Sequence, residues 1–151
     1  MKVREVMTRQ PTCCLFHNTA TAVAKILRDE DIGCVPVISD ASSAHLEGII
    51  TDRDLVCRII SEGLDPRITI IEAFITRNPI TCRPEQSLES CENLMQTHRI
   101  RRIPVVDESG RCVGILSQAD LARSQSAEKV HKTLAEISRP SQTIVAPVAA
   151  A

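Results

Sequence analysis

The feature that most constrains the fold of this chain is an internal duplication. Three short motifs recur in the same order at an offset of 68 residues, which falls to 66 after a loop that is longer in the first half. The first half contains Met7-Thr-Arg-Gln-Pro11, Ile32-Gly-Cys-Val-Pro-Val37 and Gly48-Ile-Ile-Thr-Asp-Arg-Asp-Leu55, and the second half contains Ile75-Thr-Arg-Asn-Pro79, Ile100-Arg-Arg-Ile-Pro-Val105 and Gly114-Ile-Leu-Ser-Gln-Ala-Asp-Leu121. Self-similarity of this kind indicates supersecondary units that bury a core together. We therefore expect two copies of one unit, packed against each other.

Each repeat predicts a β-α-β-β-α unit. A short strand after a proline precedes a helix with apolar residues at i, i+3 and i+4, and two apolar strands and a second helix follow. The strands are predicted at Thr12–Leu15, Cys34–Ile38, Glu47–Thr51, Ile80–Arg83, Arg102–Val106 and Cys112–Ser117; the first helices begin behind Asn18 and Gln86, and the second at Asp52 and Gln118. The predicted fold class is α/β (α+β), with the two repeats related by pseudo-twofold symmetry and packed sheet to sheet.

The predicted organisation places the first repeat at 3–63, a linker at 64–70 and the second repeat at 71–124. An amphipathic helix is expected within 125–139 and a flexible tail at 140–151. Exposed apolar faces such as Ala22–Leu27 and Leu88–Met95 predict a homodimer that covers them.

Composition argues against several classes of function. The net charge is −1 and aromatic residues make up 1%, which disfavours nucleic-acid binding. No apolar run reaches the length of a membrane span, and Met1-Lys-Val-Arg4 does not resemble a secretory signal. Seven cysteines without a CxxC motif favour a reducing compartment, the cytoplasm, and core packing over metal binding. The sequence contains neither a Gly-rich phosphate loop nor a nucleophile motif, so it gives no indication of an enzyme.

Candidate binding chemistry lies where a strand ends and a helix begins, at Thr51-x-x-Asp54 and Ser117-x-x-Asp120. Unsatisfied backbone N–H groups at such a junction favour anions such as phosphate. An aspartate one turn later can accept hydrogen bonds from a ribose diol. The same spacing also forms a capping box, in which the hydroxyl and the carboxylate satisfy only their own helix.

The ordered motifs resemble the cystathionine β-synthase (CBS) domain, present as a tandem pair (a Bateman module) over about residues 3–124. The resemblance implies a regulatory module without catalysis that holds AMP, ADP, ATP or S-adenosylmethionine in one or two clefts and requires no cofactor or metal. It also implies a homodimer that reports to a protein partner not identified by the sequence. A ligand-free interaction or dimerisation module, or a cysteine-based redox partner, is the alternative.

The resemblance assigns nucleotide-binding residues to two clefts, each built from both repeats. Cleft A comprises Thr8, Thr12, Cys13, Ile32, Arg101, Arg102, Ser117 and Asp120, and cleft B comprises Thr51, Arg53, Asp54, Thr76, Ile80, Thr81 and Ile100. Arg101 and Arg102 are expected to bind phosphate oxygens as bidentate forks, whereas the first repeat has Gly33 and Cys34 at the matching positions. We therefore expect cleft A to bind a phosphorylated ligand more tightly than cleft B.

Overall fold

The computed structural model describes residues 1–140, so all but the first residue of the predicted tail at 140–151 lies outside the described residues. The strands are β1 (Thr8–Arg9), β2 (Cys14–Leu15), β3 (Cys34–Ile38), β4 (Leu46–Thr51), β5 (Thr76–Arg77), β6 (Arg102–Val106) and β7 (Cys112–Ser117). The α-helices are α1 (Ala20–Asp29), α2 (Asp52–Leu55, continued by a π-helical turn over Val56–Ile60), α3 (Leu88–His98), α4 (Gln118–Ser124) and α5 (Ala127–Ile137). Short 3₁₀ turns at Val3–Glu5 and Ile71–Ala73 precede β1 and β5.

The two sheets exchange their edge strands. One sheet has the order β2-β3-β4-β5 and the other β1-β7-β6, so β1 joins the sheet of the second repeat and β5 that of the first. Thr8 pairs with Ile115 in one sheet, and Thr76 pairs with Ile49 in the other, at equivalent positions of the duplication. This matching register confirms the predicted α/β fold of two repeats related by pseudo-twofold symmetry.

Residues at the sheet ends show the same symmetry. His45 and Arg111 are equivalent positions, and they form an antiparallel bridge with each other. Three pairs of equivalent residues have backbone φ near +50° or above, namely Gln10 and Asn78, Asp31 and Arg99, and Ala44 and Gly110. The duplication has therefore kept backbone conformation even where the side chains differ in charge and size.

The hydrophobic core of each repeat includes residues from the other repeat. The core of the first repeat, around Val23, Val35 and Ile50, includes Ile71 and Ile75 from the start of the second motif set. The core of the second repeat, around Met95, Ile103 and Leu116, includes Val3 from the start of the chain. Neither unit therefore buries its apolar surface alone, as the duplication predicts.

The first helix of each repeat begins one residue later than predicted. Thr19 and Ser87 are the N-caps, since their hydroxyls accept from the N–H groups of Ala22 and Ser90. The predicted caps, Asn18 and Gln86, act one turn earlier. Their side-chain oxygens accept from the backbone N–H groups of Leu15 at 2.8 Å and Arg83 at 2.7 Å, which closes the turn before the helix.

Two other predictions are wrong in detail. The strand predicted at Ile80–Arg83 is a single bridge between Cys82 and Val105, because only that residue pairs with β6. The apolar stripe of Leu88–Met95 is not exposed, since Leu88, Cys91 and Met95 are 3% or less accessible. In the stripe of Ala22–Leu27, Val23 and Leu27 are likewise buried on their own sheet.

The predicted C-terminal helix forms as α5 and packs on the outer side of α3. The Thr133 hydroxyl accepts from Gln96 Nε2 at 2.9 Å and donates to Glu92 Oε1 at 3.3 Å. Ile137 is 4% exposed and joins the core of the second repeat.

Candidate functional site

A cavity of about 410 Å³ lies between the two repeats, and we call it cavity A. It is lined by Thr8, Gln10, Pro11, Thr12, Glu30, Asp31, Ile32, Gly33, Cys34, Arg102, Ile115, Ser117, Gln118, Ala119, Asp120 and Arg123. Six of the eight predicted cleft A residues are among these, namely Thr8, Thr12, Ile32, Arg102, Ser117 and Asp120. The structure thus brings residues of β1, the end of α1 and the start of α4 together at one site.

Cys13 and Arg101 do not line cavity A. Cys13 donates through its thiol to the Pro11 carbonyl oxygen at 3.3 Å. Arg101 is exposed just before β6, and its carbonyl oxygen accepts from the N–H of Gln118 at 2.9 Å. Successive residues of an extended segment point to opposite sides, so Arg101 and Arg102 are separated although they are adjacent in sequence.

Asp120 is held in a complete capping box. Its Oδ2 accepts from the Ser117 N–H at 2.8 Å and from the Ser117 hydroxyl at 2.7 Å. Its Oδ1 accepts from Arg123 Nη2 at 2.7 Å, and the Asp120 side chain is only 5% exposed. Because each carboxylate oxygen has two acceptor sites, Oδ1 retains one further site, and Asp120 lines cavity A. Ser117 and Asp120 therefore form the capping box, and the Asp120 carboxylate can still accept one further hydrogen bond.

Asp54 repeats this geometry beside the other sheet. Its Oδ2 accepts from the Thr51 N–H at 2.9 Å and from the Thr51 hydroxyl at 2.8 Å. Its Oδ1 faces Arg58 Nη1 at 3.8 Å, beyond hydrogen-bond distance, and the side chain is 20% exposed. Asp54 is thus the more accessible of the two carboxylates.

Among the remaining cleft B residues, strand pairing places Thr76 near this second capping box. Thr76 on β5 pairs with Ile49, two residues before Thr51 on β4. Arg53 is exposed, whereas Ile80, Thr81 and Ile100 are half-buried. These residues do not line cavity A, and the register alone brings Thr76 near the Thr51 junction.

Arg102 and Gly33 form the contact where the two repeats meet in cavity A. A Cβ atom at Gly33 would lie 3.0 Å from Arg102 Nη2 and 3.2 Å from Asp52 Oδ2, so the missing side chain makes space for the guanidinium. Arg102 is half-buried and forms no ion pair within 4 Å among residues 1–140. Arg102 is thus a half-buried cation that lines the cavity, and the Asp52 carboxylate lies beside the same glycine without forming an ion pair with it within 4 Å.

The thiols near the cavity differ in their acidity. Burial raises the pKa of the Cys34 thiol to about 11, although Arg102 opposes this shift, and burial raises the pKa of Cys14 to about 12. A hydrogen bond from the Cys112 thiol lowers the pKa of Cys13 and raises that of Cys112. Cys34 and Cys14 are thus neutral near pH 7, and they add no nucleophile to the site.

Sequence reasoning missed Gln10, Glu30, Asp31 and Arg123. Glu30 and Asp31 follow α1, where Asp31 has a φ of +52°, and no motif marks them. Gln10 follows β1 within the motif Met7-Thr-Arg-Gln-Pro11, but nothing in that motif indicates binding. Arg123 carries a weak signal, because it follows Asp120 by three residues and can pair with it on a helix.

Within residues 1–140, no group of three or more His, Cys, Asp or Glu residues is arranged to hold a metal ion. None of the helices in that part of the chain is both long and apolar enough to cross a bilayer.

The family model described as the CBS domain matches the chain twice, at residues 3–61 and 71–127. The chain therefore belongs to the CBS domain family and carries the domain as a tandem pair. It is 36% identical over 120 residues to Hypoxic response protein 1 of Mycobacterium tuberculosis, which covers 80% of this chain and 82% of that protein. It is 33% identical over 137 residues to the CBS domain-containing protein YhcV of Bacillus subtilis, covering 90% and 94%.

Solved structures show the same fold. The crystal structure of Hypoxic Response Protein I, with two coordinated zinc ions, has a TM-score of 0.75 and 34% identity and covers 83% of this chain and 100% of that one. The CBS domain pair of MJ0100, in complex with 5′-methylthioadenosine and S-adenosylmethionine, has a TM-score of 0.72 and 27% identity, covering 82% and 94%.

Proposed function

We propose that this protein is a regulatory module that binds an adenosine-containing ligand between its two CBS repeats and carries out no catalysis. The observation that carries the proposal is cavity A, whose walls come from both repeats and which has the volume of a small-molecule site. The similar CBS pair of MJ0100 binds 5′-methylthioadenosine and S-adenosylmethionine, which supports an adenosine ligand here. The candidate ligands are AMP, ADP, ATP and S-adenosylmethionine, and no cofactor or metal is required.

In cleft A, we assign the ribose to Ser117 and Asp120. The remaining acceptor site of Asp120 Oδ1 takes one ribose hydroxyl, and the second is reached when Arg123 rotates away. Arg123 is 72% exposed and can turn toward solvent, and the ribose hydroxyl then replaces it as the donor to the buried carboxylate. Thr8, Thr12 and Ile32 supply walls for the adenine, and Arg102 supplies a cation for the tail of the ligand.

In cleft B, we assign the same roles to the equivalent residues. Thr51 and Asp54 face the ribose, with Arg53 beside them at the start of α2. The walls come from Thr76, Ile80, Thr81 and Ile100. Either cleft, or both, then couples ligand binding to the contact between the repeats.

The test is isothermal titration calorimetry of the full chain with each candidate ligand, after native mass spectrometry of freshly purified protein. A ligand at 100 times its dissociation constant adds about 2.7 kcal/mol of stability, which a thermal shift detects. Asp120→Asn removes the charged acceptor and should weaken binding at cleft A by about 10- to 100-fold.

Asp54→Asn is the matched control, because it alters the equivalent capping box and leaves cavity A intact. Losses confined to Asp120→Asn assign the ligand to cleft A, and losses confined to Asp54→Asn assign it to cleft B. Binding of no adenosine compound would refute the proposed function and favour the ligand-free interaction module.

We also propose that the chain forms a homodimer through the helices of the first repeat. An apolar groove of about 510 Å³ runs between α1 and α2, with Leu55, Val56 and Ile60 among its lining residues. Val56 is 58% exposed and Ile60 is 52% exposed. Covering such a surface is favourable, and closed twofold association is the commonest way to do so.

Light scattering at micromolar concentration tests this assembly against the chain mass of 16.6 kDa. Ile60→Asp should shift the protein toward the monomer. Ile68→Asp is the control, since Ile68 is 76% exposed but does not line the groove. A monomer in the unmodified protein would refute the dimer.

A further inference from the structure

The strand exchange allows the two clefts to be compared position by position. β1 pairs with β7 in the same register as β5 pairs with β4, so each residue lining cavity A has an equivalent in the duplication, and Thr76, the equivalent of Thr8, lies near the Thr51 junction. The shared positive φ of Asp31 and Arg99 extends this equivalence to the segment after the first helix of each repeat. Differences between equivalent side chains therefore report differences in ligand chemistry.

Cavity A carries charges of both signs. Asp120 is neutralised by Arg123 at 2.7 Å, which leaves Arg102, Glu30 and Asp31 as the other charged lining residues. Glu30 and Asp31 are exposed and form no ion pair within residues 1–140. The cavity thus carries one guanidinium and two carboxylates that form no ion pair within 4 Å among residues 1–140. This arrangement suits a ligand tail with both an anionic and a cationic group, and it repels a phosphate dianion.

The equivalent positions in the other half of the duplication are basic on balance, although Gln118 of cavity A corresponds to the acidic Asp52. Glu30 corresponds to His98, Asp31 to Arg99 and Gly33 to Arg101. Arg99 and Arg101 are both exposed, and Arg99 also donates to the Pro140 carbonyl oxygen at 3.1 Å, a contact that leaves its charge in place. By this equivalence Arg101 is assigned to cleft B, at the position that Gly33 occupies in cleft A. An anionic ligand tail is favoured on this side.

We propose that the two clefts sort adenosine ligands by charge, an inference that rests on the proposed function. Cleft A takes an adenosine whose tail is zwitterionic or cationic, such as an amino acid joined through a sulfonium group. Cleft B takes an adenosine that ends in phosphate. This proposal differs from the expectation drawn from the sequence, in which cleft A is the phosphate site, because the order of Arg101 and Arg102 along the chain does not give their placement.

Calorimetry on the full chain tests the sorting with three probes: S-adenosylmethionine, AMP and uncharged adenosine. In the unmodified protein, saturation with AMP should leave one S-adenosylmethionine site per chain open, and the two ligands should not compete. Asp120→Asn should weaken S-adenosylmethionine only, and Asp54→Asn should weaken AMP only.

Two further variants form a matched pair. Asp31→Asn and Arg99→Asn each remove one charge at a backbone φ of +52°, a conformation that asparagine tolerates. Asp31→Asn should weaken S-adenosylmethionine by roughly two- to fivefold without weakening AMP, and Arg99→Asn should do the reverse. Arg101→Gly, which copies the equivalent residue Gly33, should weaken AMP by a similar factor. Adenosine affinity should be unchanged in all three.

Each outcome has a separate meaning. If AMP and S-adenosylmethionine compete for one cleft, or if the charge variants change both affinities equally, the sorting is refuted and the proposed function stands. If adenosine, AMP and S-adenosylmethionine all fail to bind the unmodified protein, the proposed function itself is refuted.

Discussion

The glycines at the strand exchange offer a quantitative test of this architecture. Gly48 on β4 faces β5, and Gly114 on β7 faces β1, at equivalent positions. A Cβ at Gly48 would lie 2.6 Å from the Thr76 carbonyl oxygen, an atom fixed by the backbone. A Cβ at Gly114 would lie 2.5 Å from Met7 Sδ and 3.1 Å from the Thr8 carbonyl oxygen. Since a methionine side chain can change rotamer, the second collision is the easier one to relieve.

We expect Gly48→Ala to cost about 3 kcal/mol of stability and Gly114→Ala about 1 kcal/mol, the two ends of the range for overpacking. For a chain of this size, each kcal/mol lowers the Tm by roughly 2–4 °C. Thermal unfolding followed by circular dichroism measures both variants. Equal losses of stability, or a larger loss for Gly114→Ala, would refute the argument that a backbone atom resists the added Cβ more than a methionine side chain does.

A double-mutant cycle identifies the obstacle at Gly114. Met7→Ala shortens the colliding side chain, so the Gly114→Ala substitution should cost less in the Met7→Ala background than in the unmodified protein. If its cost is unchanged, the Thr8 carbonyl oxygen is the obstacle and β1 must move. Because Thr8 lines cavity A, that second result should also appear as weaker ligand binding at cleft A and unchanged binding at cleft B.

Two further predictions concern the second helical layer and the cavity thiol. Thr133→Val keeps the shape of the side chain but leaves Gln96 and buried Glu92 without this hydrogen-bond partner. Urea unfolding should therefore show a loss of about 1–3 kcal/mol in the free energy of unfolding. No loss would mean that α5 is held by apolar contacts alone. The raised pKa of Cys34 means that the folded state holds its proton more tightly than the unfolded chain, so stability declines as pH rises from 9 toward 11 by about 1.4 kcal/mol per unit. Unfolding of Cys34→Ala measured at pH 8 and pH 10 should show a flatter decline, and an unchanged slope would contradict the assignment.

Much of the fold follows from the sequence because its elements are long enough to show a period. Strands β3, β6 and β7 form at the predicted residues, and α2 and α4 begin where the Thr51 and Ser117 caps predict. Strands β1 and β5 have two residues each, which is too short for an alternating pattern. Their exchange between sheets depends on tertiary packing, so it could not be predicted from local signals.

The residues of the candidate site also differ in how well local sequence signals predict them. Ser117 and Asp120 were predicted to bind a ligand in a cleft, with a helix capping box as the alternative, and the structure places them at cavity A with the capping box closed. The placement of Arg101 could not be predicted in this way. It depends on where β6 begins and on which repeat contributes each wall, and neither is encoded in the motif. The presence of the acidic residues Glu30 and Asp31 in cavity A also depends on tertiary packing, so it could not be predicted from a motif.

The contacts around α4 connect cleft A with one outer face of the molecule. Asp120 and Arg123 lie on α4, and Leu121 between them is 1% exposed in the core that also contains Ile137 of α5. A ligand that draws Arg123 away from Asp120 therefore acts on a helix whose buried side shares a core with α5. The groove between α1 and α2 of the first repeat has no such helix packed over Val56 and Ile60 within the described residues. The two repeats thus differ in their outer faces, because α5 packs on α3 of the second repeat, whereas the groove of the first repeat is open among the described residues.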